Sequence, residues 1–529
     1  MAKFNLLPSR DIGGLPGVMM VLFVAFGGLL FGYDTGTISG IMAMSYFKER
    51  FSTTTDVATG EPIITAGQQA LIVSMLSVGT FVGALSGAPL GDLLGRRMGL
   101  VWACVVFNVG AAMQTAATAI PLFTAGRAVA GAGVGIISAL IPLYQAETAP
   151  SYLRGTLIGS YQLFITIGLL VASCVNKGTQ ARDNTGSYRI PCAIQIIFGF
   201  ILMGGMAWLP DTPRYFVKKG QLDKARKSLA QLRRRKPEDS GITTELDWIV
   251  SSCAIEMEQA GGWAECFSRR DGHIWRLLTG CSIMALNQLV GVNFIFYFGT
   301  QFFQEAGVKS PFIIQLITNL VNVCSCIPGL WLVEKWGRRP LLMFGAAGMF
   351  TCQFIVAGVG LGSSTDVANN VLIAFVCFYI FFNAMTWGPV GWTVVGEIFP
   401  LQIRAKAVSM SIASIWAFNW AIAYATPYLI EDDSQSANLG YNVFFIWGTC
   451  CGIAFLFTYF CVYETKGLSL EQVNELYAVC SFAPRSNAAR KRLQQQAAID
   501  ADNPTSKVAG LHNEKEGTTL TYVEDTSRD

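Results

Sequence analysis

Apolar residues run along this chain in long blocks, without the alternation by which a soluble strand or helix keeps one wet face. Cut at charge clusters and Pro/Gly turns, the blocks fall near 18–41, 66–90, 99–118, 122–145, 156–176 and 190–209. Six more fall near 277–303, 313–333, 340–361, 371–396, 406–430 and 441–463. Roughly 20 apolar residues cross the hydrocarbon of a bilayer as a helix. The pattern therefore predicts an all-α membrane protein of twelve spans, numbered here in chain order.

Between spans six and seven lies a polar window, 210–276, which divides the chain into two six-helix halves, 18–209 and 277–463. The halves repeat weakly. Asp92-Leu-Leu-Gly95-Arg96-Arg97 follows span two and Glu334-Lys-Trp-Gly337-Arg338-Arg339 follows span eight. Glu147-Thr-Ala-Pro150 with Arg154 follows span four, and Glu397-Ile-Phe-Pro400 with Arg404 follows span ten. Paired halves around a midplane site are a transporter architecture.

Composition agrees with this reading. Only 14% of the 529 residues are charged, against about 25% in a soluble domain. Forty of the 73 charged residues sit in two windows, 210–275 and 464–529. The net charge of +3 gives no reason to expect a nucleic-acid partner. The 14 cysteines lie singly and without metal-ligand spacing, and read as packing residues. The two histidines, His273 and His512, lie in the charged windows, leaving none as a relay within the bilayer. Neither a metal nor a cofactor is expected, and no nucleophile–base set of an enzyme is visible. The first apolar run is too long and glycine-rich for a cleaved signal and reads as span one.

Basic residues set the expected orientation. The N-terminus 1–17, the window 210–276, the tail 464–529 and the loops on their side hold 31 of the 38 Lys and Arg, and the opposite loops hold six. Both termini are expected in the cytoplasm. Within the window, Asp223 to Arg235 reads as a solvated basic helix near the anionic leaflet, and the tail from Ser486 onward reads as disordered.

The remaining basic residue is Arg127, deep in span four. Asp34 lies about 17 residues into span one, where a carboxylate costs roughly 2.5–3.5 kcal/mol on insertion scales. An Asp34–Arg127 pair is the economical expectation. It acts in proton coupling, or else as a structural lock. Burial and Arg127 pull the proton affinity of Asp34 in opposite directions, as a coupling site requires.

Uncharged polar residues suggest the cargo. Span seven carries Asn287, Gln288, Asn293 and Tyr297 around Gly291, a candidate helix break. Span eight places Gln315, Asn319 and Asn322 on one face; span eleven has Trp416, Asn419 and Trp420; span five has Gln162 and Thr166; span ten has Asn383, Trp387 and Trp392 around Gly388-Pro389. Amides donate and accept, as a neutral hydroxylated ligand requires, and indoles offer flat surface to the C–H face of a ring. Glycines at 28, 32, 36 and 40 and at 79, 83, 87 and 91 form stripes that serve either close packing or sliding.

Together these residues resemble the sugar porter family of the major facilitator superfamily, most closely its fungal hexose transporters, over about 18–480. The marks are Gly32-Tyr33-Asp34-Thr35-Gly36, the two Gly-Arg-Arg loops, Pro210-Asp211-Thr212-Pro213-Arg214, Gly396-Glu397-Ile398-Phe399-Pro400 with Arg404, and Glu464-Thr465-Lys466-Gly467. The resemblance implies monosaccharide transport by alternating access at the plasma membrane. It implies a sugar site to which Gln162, Gln288, Asn293, Asn322, Trp392 and Asn419 contribute, with Asn287 standing where the family has a longer glutamine. It further implies cytoplasmic gating networks of Asp92, Arg96, Glu147, Arg154, Glu334, Arg338, Glu397 and Arg404. Protons are the expected coupling ion; a proton-independent carrier and a transporter-like sugar sensor are the alternatives. A second departure is Tyr463, where the family has proline.

Overall fold

The computed structural model describes residues 15–502 apart from short segments at 56–61, 150–153, 259–261, 270–271, 306–309, 362–365, 401, 431–436, 438, 469 and 481. Within the described residues 12 helices are long and apolar enough to cross a membrane. In the first half these are Gly17–Ala43, Ala66–Leu94, Arg96–Ala116, Ile120–Thr148, Thr156–Thr179 and Gly186–Trp208. The second half has His273–Gln304, Pro311–Trp336, Arg338–Gly360, Val367–Glu397, Lys406–Ile430 and Gly440–Cys461. Each coincides with an apolar block of the sequence, as it must where only a helix can satisfy every backbone group out of water. Large apolar side chains such as Trp102, Phe200, Leu320 and Phe378 stay exposed on the outside of the bundle, the surface that lipid covers.

Both glycine stripes pack inside the first half. A Cβ at Gly32 would stand 2.0 Å from the Ile165 carbonyl oxygen, and one at Gly79 2.0 Å from that of Ala128. Span one thus lies directly on span five, and span two on span four. The stripes are packing surfaces within a half; the contacts between halves are made by other residues.

Two spans of the second half are broken. Span seven divides into His273–Leu289 and Val292–Glu305 at Gly291, whose φ of 88° suits glycine. The freed Val290 carbonyl accepts from Gln353 Nε2 at 2.7 Å and Tyr379 Oη at 2.9 Å. Span ten divides at Thr386 into Asp366–Met385 and Trp387–Glu397. Across the two breaks, Asn287 Nδ2 donates to the Trp387 carbonyl at 2.8 Å.

Linker and tail lie at one end of the bundle, the linker side. The linker forms helices Pro213–Lys218, Leu222–Arg233 and Ser240–Glu258. The basic helix is not solvated all round: Ala225, Leu229 and Ala230 pack with Ile242, Leu246 and Ile249 of its neighbour. The tail also departs from expectation. Ser486–Asp502 is a helix, and Arg490 Nη1 and Gln494 Nε2 donate to the Lys466 carbonyl at 3.1 and 3.2 Å. Residues 503–529 lie outside the described part. Tyr463 stacks on Tyr477 at 4.3 Å and donates to the Cys480 carbonyl at 2.9 Å, which fixes the exit of span twelve.

Candidate functional site

Four of the amides expected from the sequence meet between the broken span seven and span eleven. Asn293 Nδ2 and Asn419 Nδ2 both donate to Gln288 Oε1, the second at 3.1 Å. Gln288 Nε2 lies 3.4 Å from Asn287 Oδ1. Asn419 Oδ1 accepts from Tyr297 Oη at 3.1 Å and from Ser77 Oγ at 2.5 Å. Ser77 belongs to span two, so this hydrogen bond joins the halves. A serine in an apolar run gives no signal of that role.

Spans one and five of the first half reach the same region. Gln162 of span five reaches toward the break of span ten, where a Cβ on Gly388 would lie 3.6 Å from its Nε2. Phe31 meets Trp416 edge-on at 5.2 Å. Asn322 is buried on the same helix as Asn319, and Trp392 packs partly buried against the main core. Asn319 Nδ2 donates to Ser173 Oγ at 2.6 Å, a second polar tie between halves.

Beside this cluster lies the buried ion pair. Arg127 Nη1 stands 3.3 Å from Asp34 Oδ2, and its Nε donates to the Ile72 carbonyl at 3.0 Å. Gln114 and Gln195 are buried near the same carboxylate. Tyr297 neighbours Thr35, the residue after Asp34, so one tyrosine touches both the amide cluster and the surroundings of the charge pair.

At the linker side the two halves repeat one construction. Asp211 accepts from the backbone nitrogens of Arg96, Arg97 and Thr212; Glu464 accepts from those of Arg338, Arg339 and Lys466. Each carboxylate caps the free N–H groups that open span three or span nine. The preceding glycine is required by geometry: Gly95 and Gly337 have φ of 90° and 102°. Burial pushes the Asp211 carboxyl above its ordinary range, against the opposing pull of its backbone donors and Arg96.

Side chains of the loops complete the networks. Arg96 pairs with Asp92 at 3.0 Å and Glu147 at 3.2 Å; Arg338 pairs with Glu334 at 3.2 Å and Glu397 at 2.7 Å. Thr212 Oγ1 donates to Glu147 and Thr465 Oγ1 to Glu397. Arg404, at the start of span eleven, donates to the Gly396 carbonyl at 2.7 Å and so ties its helix to the end of span ten. The side chain of Arg154 lies outside the described residues. Each of these ion pairs joins residues of a single half. At the far side Ser39 Oγ of span one lies 3.0 Å from Thr300 Oγ1 of span seven, across the halves.

The family model for "Sugar (and other) transporter" matches residues 20–477. The chain belongs to the sugar transporter family of the major facilitator superfamily. This sugar transporter is 48% identical over 518 residues to the "Major facilitator-type transporter ecdD" of Aspergillus rugulosus, covering 94% of this chain and 95% of the relative. It is 47% identical over 470 residues to the "Probable glucose transporter rco-3" of Neurospora crassa, covering 87% and 79%. Among solved structures, the proton:xylose symporter XylE bound to 6-bromo-6-deoxy-D-glucose superposes with a TM-score of 0.73 at 25% identity. That match covers 87% of this chain and 99% of XylE.

Proposed function

We propose that this sugar transporter carries a monosaccharide, a hexose or pentose, by alternating access coupled to proton symport. Its linker side, with both termini, faces the cytoplasm, and its membrane is the plasma membrane. The observation that carries the reading is the Asp34–Arg127 pair, buried one tyrosine away from the amide cluster. A charge pair in that place costs free energy on insertion and is retained where its charge changes during work. Rco-3, described as a probable glucose transporter, and XylE, a proton:xylose symporter, support the cargo and the coupling ion.

Gln288, Asn293 and Asn419 offer the sugar hydroxyls an amide lattice that already shares its donors and acceptors, so a ligand substitutes for bonds among the amides themselves. Gln162 and Trp392 face it as the second polar wall and an indole surface. Asn287, tied to the Trp387 carbonyl, orients Gln288 and holds the two helix breaks together. In the state seen here Ser39 and Thr300 hold spans one and seven together at the far side. Opening the far side breaks that contact and brings the two linker-side networks against each other, where Arg96, Arg338, Glu147 and Glu397 serve as the gate. A proton taken by Asp34 outside neutralises it and releases Arg127; loss of the proton inside restores the pair.

Radiolabelled uptake in a cell lacking its own sugar carriers tests this, competed by a sugar panel with and without a protonophore. Competition by hexoses or pentoses and collapse of accumulation by the protonophore are expected. Failure of every monosaccharide to compete removes the cargo, and accumulation indifferent to the protonophore removes the coupling. A signal without uptake would make the chain a sensor.

A further inference from the structure

The linker-side ends of spans one and six leave a groove between them. Met19, Met20 and Phe23 form one wall, and Gly205, Trp208 and Leu209 the other. The lining is almost wholly apolar, with one exception: Arg234 of the linker closes the mouth. The groove is built in, because Phe23 packs over Gly205 so closely that a Cβ there would stand 2.1 Å from its ring. The linker is held over it too, with Gly17 of span one directly beneath the Leu232 carbonyl.

Arg234 is unusual in its backbone as well as its place. It is the sole non-glycine among the described residues with positive φ, at 53°, in the left-handed conformation that ends the helix Leu222–Arg233. Glycine takes that conformation without strain, whereas a side chain there is strained. The neighbouring arginines are committed to acids: Arg233 pairs with Glu245 at 2.7 Å and Arg235 with Asp239 at 3.4 Å. The turn at 234 sends the middle guanidinium the other way, exposed, to the mouth of an apolar groove. Trp208, 90% exposed, stands beside it at the end of span six, the depth at which indoles sit in a headgroup layer. Lys224, Arg226 and Lys227 are exposed on the same linker helix and add positive potential.

From this we infer that the groove is a binding site for one anionic phospholipid of the linker-side leaflet. An acyl chain lies along Met19, Met20 and Phe23, and the phosphate accepts hydrogen bonds from the Arg234 guanidinium. The occupant is a lipid and not a soluble phosphate, because the groove opens between membrane spans and its surface below the arginine is apolar. Occupancy pins the linker to the first half and does not depend on which solute is carried.

The test is native mass spectrometry of the purified full-length chain, delipidated and titrated separately with phosphatidylserine and phosphatidylcholine of the same acyl composition. For the first lipid retained, the wild type should prefer phosphatidylserine by about tenfold: both lipids offer the phosphate, but the serine headgroup keeps a net negative charge for Arg234 whereas choline offsets that of the phosphate. Arg234→Gly keeps the backbone turn and should bring the ratio near one at an unchanged thermal midpoint. Arg234→Lys should keep part of the preference. Filling the groove with Met20→Trp should weaken both lipids. Glycerophosphoserine, the headgroup without chains, should displace neither. A wild-type ratio in both Arg234→Gly and Arg234→Gln, or displacement by glycerophosphoserine as effective as by the lipid, would overturn the assignment.

Discussion

Arg127 and Asp34 face each other at 3.3 Å with side chains 1% and 0% exposed, and Arg127 is also bound to the carbonyl of Ile72. The arginine therefore ties span four to spans one and two at once. Removing either charge alone leaves the other uncompensated in a dry environment, which costs more than removing both. The pair has two readable consequences, one for folding and one for transport. Arg127→Gln should reduce the amount of carrier at the surface, and Asp34→Asn combined with it should restore part of that amount.

Asp34→Asn alone separates the roles, because the amide mimics a permanently protonated carboxyl. Proteoliposomes carrying it should exchange labelled sugar for unlabelled sugar, yet neither accumulate it nor respond to pH. The wild type should concentrate sugar, since a potential worth about 2.3 kcal/mol per charge per 100 mV supports roughly 50-fold accumulation. A wild type that only equilibrates sugar, without proton uptake on sugar addition, would leave Asp34–Arg127 as a structural pair in a facilitator.

For Gln288 the expectation is a change in affinity. Its Oε1 accepts from both Asn293 and Asn419, so Gln288→Ala leaves those donors and the sugar hydroxyls short of a partner. At about 1–3 kcal/mol per unsatisfied buried group, apparent KM should rise about 5- to 150-fold with the protein still at the surface. Unchanged KM at normal surface amount would remove the residue from the site.

How far the sequence foretold this depends on the range of each interaction. Apolar blocks located all twelve spans because hydropathy is local, and Gly291 announced the break of span seven because glycine alone takes its φ freely. The Asp34–Arg127 pair was legible for a different reason: two opposite charges stranded in apolar runs have few partners to choose from. Ser77, Ser39 and Thr300 were not legible. A hydroxyl in a membrane helix bonds its own backbone as readily as a distant side chain, as Thr37 does to Tyr33. The helix Ser486–Asp502 was missed because it has no apolar stripe; its order comes from Ser486, Arg490 and Gln494 meeting the turn at 464–467.

Close packing gives a prediction independent of the sugar. A Cβ on Gly79 would lie 2.0 Å from the Ala128 carbonyl oxygen, a backbone atom that has no rotamer by which to yield. Gly79→Val should therefore force spans two and four apart and leave little carrier at the surface. Gly178→Val, where nothing stands within 4 Å, should be tolerated. Equal surface staining of the two variants would contradict the packing assigned to the stripe.

Ser39 and Thr300 allow the conformational cycle to be stopped. Their hydroxyl oxygens are 3.0 Å apart near the far ends of spans one and seven, which belong to opposite halves. That spacing suits a disulfide between Ser39→Cys and Thr300→Cys, given the short Cβ–Cβ separation such a bond needs. Oxidation should lock the far side shut and block entry of sugar. Reduction should restore transport, and either single cysteine should be nearly indifferent to oxidant. If the oxidised double variant transports at the wild-type rate, spans one and seven do not separate there during the cycle, and the far-side gate must be sought between other spans.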